Sequence, residues 1–410
     1  MIDSLEIHLP FHDEHVILGP CEKFPVLDLR HLIGTELHLS GRSLTMANGV
    51  ITASELHHPY ESLPSSYGSM AVKTFPCVPK SHPYVAIKCS PAKLLTGHNV
   101  YGTDDYKICL TEMLGLLKIS CPKLFALLNI KCSEISSIDI TYSVRADTQQ
   151  IADEFIKYCS SLRSGHVRSS EQFPTTVYLG KRDSRHKRLK IYLKNYELKN
   201  YISNLKKRNL SGELDESISI NENLLDFSLG LIRFESTLKK RWFRERGIPT
   251  GIIDFGKYVK NYNETNKISF FNQIHTDSFR DIFKTFDGAH IMDYSDENIY
   301  QILKSKLVTY SKNGKPNFSV ARRVFRFYRS IASEGYTEIL STTPSSTFYR
   351  NIKYLRDSGI PIATLQNLHK IKSNLVPIIR LINLDYTNQF PANYVEPKSQ
   401  LTKLPLRLVG

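Results

Sequence analysis

Between Arg188 and Lys199 the chain reads RLKIYLKNYELK. Alternation along an extended strand would set Lys190, Tyr192 and Lys194 on one edge and Leu189, Ile191 and Leu193 on the other. A phenol between two ammonium groups suits a phosphate, and flanking cations favour the phenolate, the form that attacks. Two further alternating stretches carry acids. SSIDITYSV sets Asp139 with Ser137 and Thr141, opposite Ile138, Ile140 and Tyr142, and GLIRFESTLKKR sets Arg233 with Glu235, opposite Ile232 and Phe234. If these stretches neighbour one another in one sheet, two carboxylates and a tyrosine share a surface. Oxygen ligands of this kind suit Mg²⁺ or Mn²⁺, which polarises a scissile phosphate as the tyrosine attacks. The chemistry expected is that of a DNA nickase, with Tyr192 as nucleophile, Lys194 as its helper, and Asp139 and Glu235 as metal ligands. Glu197 is a third candidate ligand if the chain turns after Asn195, and His98 in LLTGHNVYGT is a fourth. Taken singly, each is an ordinary strand or loop residue; the shared pattern carries the expectation.

The elements that must position these groups are read from periodicity. Short strand-like runs such as MAVKTF and YVAIKC fill the first 160 or so residues. A helix is expected over Thr111 to Leu128, interrupted at Cys121-Pro122, and another over IADEFIKYCSSL. TTVYLGKRDSRHKRLKIYLKNYELK reads as a hairpin with a basic tip around Lys181 to Arg188, and LKKRNLSGELDESISINEN as a polar loop or helix end. Past about residue 290 the pattern becomes helical: ENIYQILKSKL, SVARRVFRFYRSIASEG, PSSTFYRNIKYLRDSG and PIATLQNL, with Gly335 and Gly359 as stops and Pro344 as a start. The fold class expected is α+β, an antiparallel-sheet catalytic region over residues 1–290 with core strands at about 135–240, then a mainly helical region over 291–410.

The charge balance points to a polyanionic partner. The 410 residues carry 54 Lys+Arg against 40 Asp+Glu, a formal charge of +14. From Met292 onward there are 17 cations and 8 acids, so the excess concentrates in the helical region. Arg322, Arg323, Arg326 and Arg329 lie mostly along one side of a helix, and Ser345, Ser346, Arg350 and Lys353 would face DNA if the next helices form a helix-turn-helix. Nearer the tyrosine, Lys190, Arg185, Arg188 and Arg233 are candidate DNA contacts. The seven cysteines form no Cys-x-x-Cys pair and read as reduced thiols. No secretory leader or membrane-spanning run is evident, so the expected location is cytoplasmic.

Several separate motifs, in order, resemble the gene II replication initiators of filamentous bacteriophages: MIDSLEIHLPF, HPYESLP, SPAKLLTGHNVYGT, SSIDITYSVRA, SRHKRLKIYLKNYEL, LLDFSLGLIRFE and SGIPIATLQNL. More distantly, the trio of ID, YLGKR…IYLKNYE and IRFE looks like the catalytic core of plasmid rolling-circle initiators that lack a double-histidine motif; none of the 14 histidines here forms a His-x-His triplet. The resemblance implies binding to the phage origin on supercoiled double-stranded DNA and nicking of the viral strand, with Tyr192 linked to the 5′ phosphate. A host polymerase would extend the 3′ hydroxyl while a host helicase displaces the old strand, and a second cut would rejoin the displaced single-stranded DNA as a circle. It also implies a shorter DNA-binding product from an internal start near Met292, self-association on the origin, and the cytoplasm of the bacterial host. Tyr196 would be a second nucleophile only if IYLKNYELKN were helical; the alternation of Ile191 to Lys194 favours a strand. The rival readings are a metal-dependent hydrolase without a covalent intermediate and a DNA-binding regulator. A tyrosine recombinase lacks its His-x-x-Arg motif here.

Overall fold

The computed structural model describes residues 1–18, 25–35, 42–47, 50–55, 70–78, 81–160, 162–164, 167–181, 184–210, 222–285, 295–311, 313–370, 389–399 and 401. Eleven of its strands form one antiparallel sheet. In spatial order they are β5 (Val50–Glu55), β4 (Arg42–Ala47), β6 (Met70–Phe75), β7 (Tyr84–Cys89), β1 (Ile2–Pro10), β8 (Glu134–Arg145), β13 (Leu231–Lys239), β12 (Lys187–Leu193), β11 (Thr176–Leu179), β10 (Val167–Phe173) and β9 (Arg163–Ser164). Two small hairpins, β2 (Val16–Leu18) with β3 (Pro25–Leu27) and β14 (Thr309–Tyr310) with β15 (Pro316–Asn317), stand apart.

The three stretches that carry the acids and the tyrosine are β8, β13 and β12, and they are adjacent. Glu235 pairs with Lys190 on one side and Thr141 on the other, while Tyr192 pairs with Arg233. Alternation therefore divides the sheet into two unlike faces. On the apolar face, Ile2, Leu5, Ile7, Leu9, Ile138 and Ile140 pack under α2 (Tyr106–Ser120), α8 (Ile252–Asn266) and α9 (Phe270–Phe283). Leu189, Ile191, Leu193, Ile232 and Phe234 pack under α4 (Gln149–Cys159). The expected helix break is present, since Pro122 opens α3 (Pro122–Ala126). The other face is polar.

One expectation about β12 is corrected. The strand ends at Leu193 and α5 (Lys194–Leu210) starts at once, so Lys194 is not on the strand edge beside Lys190 and Tyr192. Leu198, Tyr201 and Ile202 sit at helical spacing and pack with Val100, Leu231 and α6 (Glu222–Ser228), and Glu197 lies in the first turn, where the helix dipole favours an acid. The polar stretch read as a loop or helix end begins as the end of α5, helical as far as Leu210; 211–221 lie outside the described residues. Gly230 opens β13 at φ +67°, and a Cβ there would meet the Ala146 carbonyl at 2.5 Å, so only glycine fits. Beyond β13 come α7 (Lys240–Arg244) and then α8.

The C-terminal helices form as read: α10 (Asp296–Lys306), α11 (Ser319–Glu334), α12 (Tyr336–Thr342), α13 (Ser345–Asp357) and α14 (Ile362–Asn367). They enclose a core of their own with Leu303, Val324, Tyr328, Phe348 and Leu355. Ala363 of α14 also joins the packing under β12 and β13, and its N–H donates to the Thr285 carbonyl at 3.0 Å. Met292, expected near a region boundary, lies outside the described residues.

Candidate active site on the polar face

Tyr192 is the last polar-face residue of β12, and only 3% of its surface is exposed. The Lys190 ammonium lies 4.0 Å from its ring centroid and 3.5 Å from Glu235 Oε2. Arg233 pairs with Tyr192 directly opposite on β13 and is itself 1% exposed. Its guanidinium donates to the Asn99 carbonyl at 2.6 Å, to the Val100 carbonyl, and to Ser143 Oγ at 3.4 Å. Arg233 therefore ties the loop over residues 97–104 to β13.

The loop it holds, between α1 (Pro91–Thr96) and α2, brings a second chain of contacts. Lys194 Nζ donates to Asn99 Oδ1 at 2.8 Å and to Glu197, while Asn99 Nδ2 donates to Asp3 Oδ1 at 2.8 Å. Asp3 is the extra residue of a β-bulge: β1 pairs Ile2 with Ile140 but Ser4 with Asp139. Neither Asp3 nor Asn99 was expected. The signal for Asp3 was present, because apolar residues stand at Ile2, Leu5, Ile7 and Leu9, and the first gap is one residue too long for a regular strand.

Burial works against the pull of the cations on the phenol. It pushes Tyr192 well above its usual range, and Glu235 and Asp3 add to this against the pull of Arg233, so the phenol is protonated near neutral pH. Burial also raises Glu235, opposed by Lys190 and reinforced by Asp139 and Asp3. Lys194 is brought down to about 8 by burial, with Glu197 working against it. Despite burial, Glu235 holds Lys190 above its usual value. Burial lowers His98 to about 4, with Lys194 and Arg233 beside it, and its Nδ1 faces the Val100 N–H at 3.3 Å.

Two family models of the phage replication-associated protein, the gene II product, match the sequence, the N-terminal one over residues 1–265 and the C-terminal one over 311–400. The chain belongs to this replication-associated protein family. Relatives of that name include those of Enterobacteria phage M13 and Enterobacteria phage f1, each 35% identical over 97% of this chain and 99% of the relative. That of Salmonella phage IKe is 33% identical, covering 97% of both chains. No solved structure matches.

Within this family of replication-associated proteins, the remaining candidates sort by place. Asp139 and Glu235 share the polar face on neighbouring strands, and Asp139 Oδ1 is buried without a hydrogen-bond partner among the described residues. Glu197 is committed to Lys194 and His98 is flanked by two cations, so neither joins that pair. Among the described residues no three His, Cys, Asp or Glu side chains converge on a metal position. Arg185 is exposed, Arg188 and Lys190 are half-buried, and Arg188 Nε has no hydrogen-bond partner among the described residues. Tyr196 lies on α5 with its hydroxyl 3.3 Å from Asp153, on a different element from Tyr192. Arg322, Arg323, Arg326, Arg329, Ser345, Ser346, Arg350 and Lys353 are all exposed, with Arg329 3.2 Å from Asp296. No helix among the described residues is long and apolar enough to cross a membrane.

The acids of this face set an expected pH response. Burial works to raise Glu197, yet Lys194, Lys93 and Arg233 hold it at about 2, well below its value of 4.5 in an unfolded chain. A depressed carboxyl stabilises the fold above the unfolded value and loses that contribution as pH falls toward 2. Urea unfolding should show a falling midpoint on the acid side of 4.5, and Glu197→Gln should make that decline shallower.

Proposed function

We propose that this chain initiates phage DNA replication by nicking one strand, with Tyr192 as a transesterifying nucleophile. The observation that carries the reading is the placement of Tyr192, Lys190, Arg233 and Glu235 side by side on two paired strands of a chain of the replication-associated protein family. Tyr192 Oη bonds to the scissile phosphorus as the P–O3′ bond breaks, leaving a 5′ phosphotyrosine and a 3′ hydroxyl. The phenolic proton must reach the departing oxygen, and Lys194 at about 8 and Glu235, raised by burial, are the groups tuned to carry a proton near neutrality. Because a phosphodiester is exchanged and not hydrolysed, the same residue can rejoin ends without ATP. Lys190 and Arg233 oppose the charge that develops on phosphate and phenol.

Mg²⁺ or Mn²⁺ fits Asp139 and Glu235. The orphaned Asp139 oxygen and the raised Glu235 carboxyl are what a nearby cation would relieve, and Mg²⁺ characteristically takes only one or two carboxylates, with water and substrate oxygens as further ligands. When bound, it would supply Lewis-acid polarisation of the phosphate.

In this reading residues 1–290 nick and 291–410 bind duplex DNA through α11 and α13, Met292 starts a shorter DNA-binding product, and the protein works in the host cytoplasm, self-associated on the origin, with the host helicase and polymerase. Replacing Arg322, Arg323 and Arg326 by Gln should weaken duplex binding and reduce the salt slope by roughly 1 for each phosphate left unneutralised, read by fluorescence anisotropy at several salt concentrations. Arg329, partly neutralised by Asp296, should matter less.

Incubating the protein with Mg²⁺ and a supercoiled plasmid bearing the cognate origin, then digesting it away, tests the nicking step. A DNA-linked peptide phosphorylated at Tyr192 supports covalent transfer. A free 5′ phosphate supports hydrolysis directed by Asp139 and Glu235. Tight origin binding without any nick supports a regulator.

A further inference from the structure

The polar face continues far beyond Tyr192, and the strand register fixes its course. Lys190 pairs with Glu235, and Arg188 with Thr237, which faces Asp139. Next along, Lys239 pairs with Ser137, Ser137 with Glu6, and Glu6 with Lys88. Then His8 pairs with Ala86, and Ala86 with Lys73. Last, Tyr84 pairs with Pro10 and Phe75. Paired residues share a face and so do residues two apart, so these groups form one diagonal band across six adjacent strands. Its far end lies about ten residues of strand from Tyr192, roughly 33 Å along the strand direction.

That far end is built of rings. His8 stacks on Tyr84 at 4.2 Å between centroids, and Tyr84 on Phe75 at 4.8 Å, with Lys73 Nζ 5.1 Å from the Phe75 ring. All four side chains are half-buried and so keep part of their surface open. Along the band Lys88, Lys239, Arg188 and Lys190 alternate with the acids Glu6, Glu134, Asp139 and Glu235; Lys88 lies 3.7 Å from Glu6 and Lys190 3.5 Å from Glu235, which leaves Arg188 and Lys239 as the cations of the band outside an ion pair among the described residues. Arg188 and Lys239 on one side and stacked rings beside Lys73 on the other match a flexible polyanion whose units are aromatic. A duplex keeps its bases stacked on one another, so rings of this kind have nothing to hold in it.

We infer that the His8–Tyr84–Phe75 ladder, with Lys73, is a docking platform for unpaired bases, and that single-stranded DNA follows the diagonal band between it and Tyr192. This rests on the reading of Tyr192 as acting on a DNA strand. The platform holds the strand at a distance from the nick, which keeps a displaced or tethered end on the protein between the two cuts. An aromatic ladder that served only to pair strands would leave DNA affinity unchanged when trimmed.

The test measures binding of a fluorescein-labelled oligothymidine of roughly 16 nucleotides, the upper range for one stacking surface, by the full chain in a Tyr192→Phe background without metal, so that no cleavage enters. Tyr84→Ala and Phe75→Ala should each weaken binding about tenfold, and Tyr84→Phe should retain it. Lys73→Ala should reduce the salt slope by about 0.7. Circular dichroism checks the fold. If Tyr84→Ala unfolds, photocross-linking of an iodouracil oligonucleotide to the otherwise unaltered chain decides: adducts at His8, Tyr84 or Phe75 support the platform. Unchanged affinity in folded variants, adducts confined to other regions, or an equal loss for duplex DNA would each overturn it. None of these outcomes depends on whether Tyr192 forms a phosphotyrosine, so the two readings fail separately.

Discussion

Tyr192→Phe should abolish nicking, with a loss of roughly 10⁴-fold or more and no DNA-linked peptide, because a nucleophile has no substitute at its position. The change removes one oxygen. Arg233, opposite it on β13, is held by two carbonyl acceptors and Ser143 in either case, so the fold should lose only about 1 kcal/mol. Origin binding should stay within about twofold of the unaltered chain, since Tyr192 is 3% exposed and contributes little outer surface. A supercoiled-plasmid assay alongside urea unfolding measures all three. Full nicking by a folded Tyr192→Phe protein would remove the covalent reading.

Arg233→Met should be the most destabilising single change in the site, by about 3–5 kcal/mol. The guanidinium is buried among the Asn99 and Val100 carbonyls and Ser143, and its loss leaves these acceptors without that donor inside the protein. Arg233→Lys should recover only part of the loss, because one ammonium lacks the planar fork that reaches both carbonyls. Loosening the 97–104 loop also frees Asn99, which sits between Lys194 and Asp3, so nicking should fall more steeply than stability alone explains. Urea midpoints with an unchanged slope, compared with nicking rates under folding conditions, separate the two effects.

Strand alternation read the central trio well. Ile138 and Ile140, Ile191 and Leu193, and Ile232 and Phe234 all face the apolar side, which by itself places Asp139, Tyr192 and Glu235 on the other. It misread Lys194. A strand that runs directly into a helix has no turn residue to mark the change, and Lys194 continued the alternation by coincidence. The C-terminal helices were legible because Gly335 and Pro344 punctuate them. The state of the phenol was not. Two neighbouring cations argued for a phenolate, but burial pushes the phenol the other way, and burial is set by tertiary packing that no local spacing reports. Asp3 lay in plain view as a slip in the β1 alternation, and Asn99 had no local signature at all.

The position of β1 governs the order in which the protein can form. It is made first, yet it sits inside the sheet, with β7 on one edge and β8 on the other. While the chain is being synthesised, Ile2, Leu5, Ile7 and Leu9 must wait for β8 at residues 134–145 before both of their edges are covered. The wait leaves an unpaired apolar strand on a growing chain, the kind of segment that recruits other chains or a chaperone. β13, which separates β8 from β12, arrives later still, after the strands on both of its sides, so the residues of the candidate active site come together only when it enters the middle of the sheet.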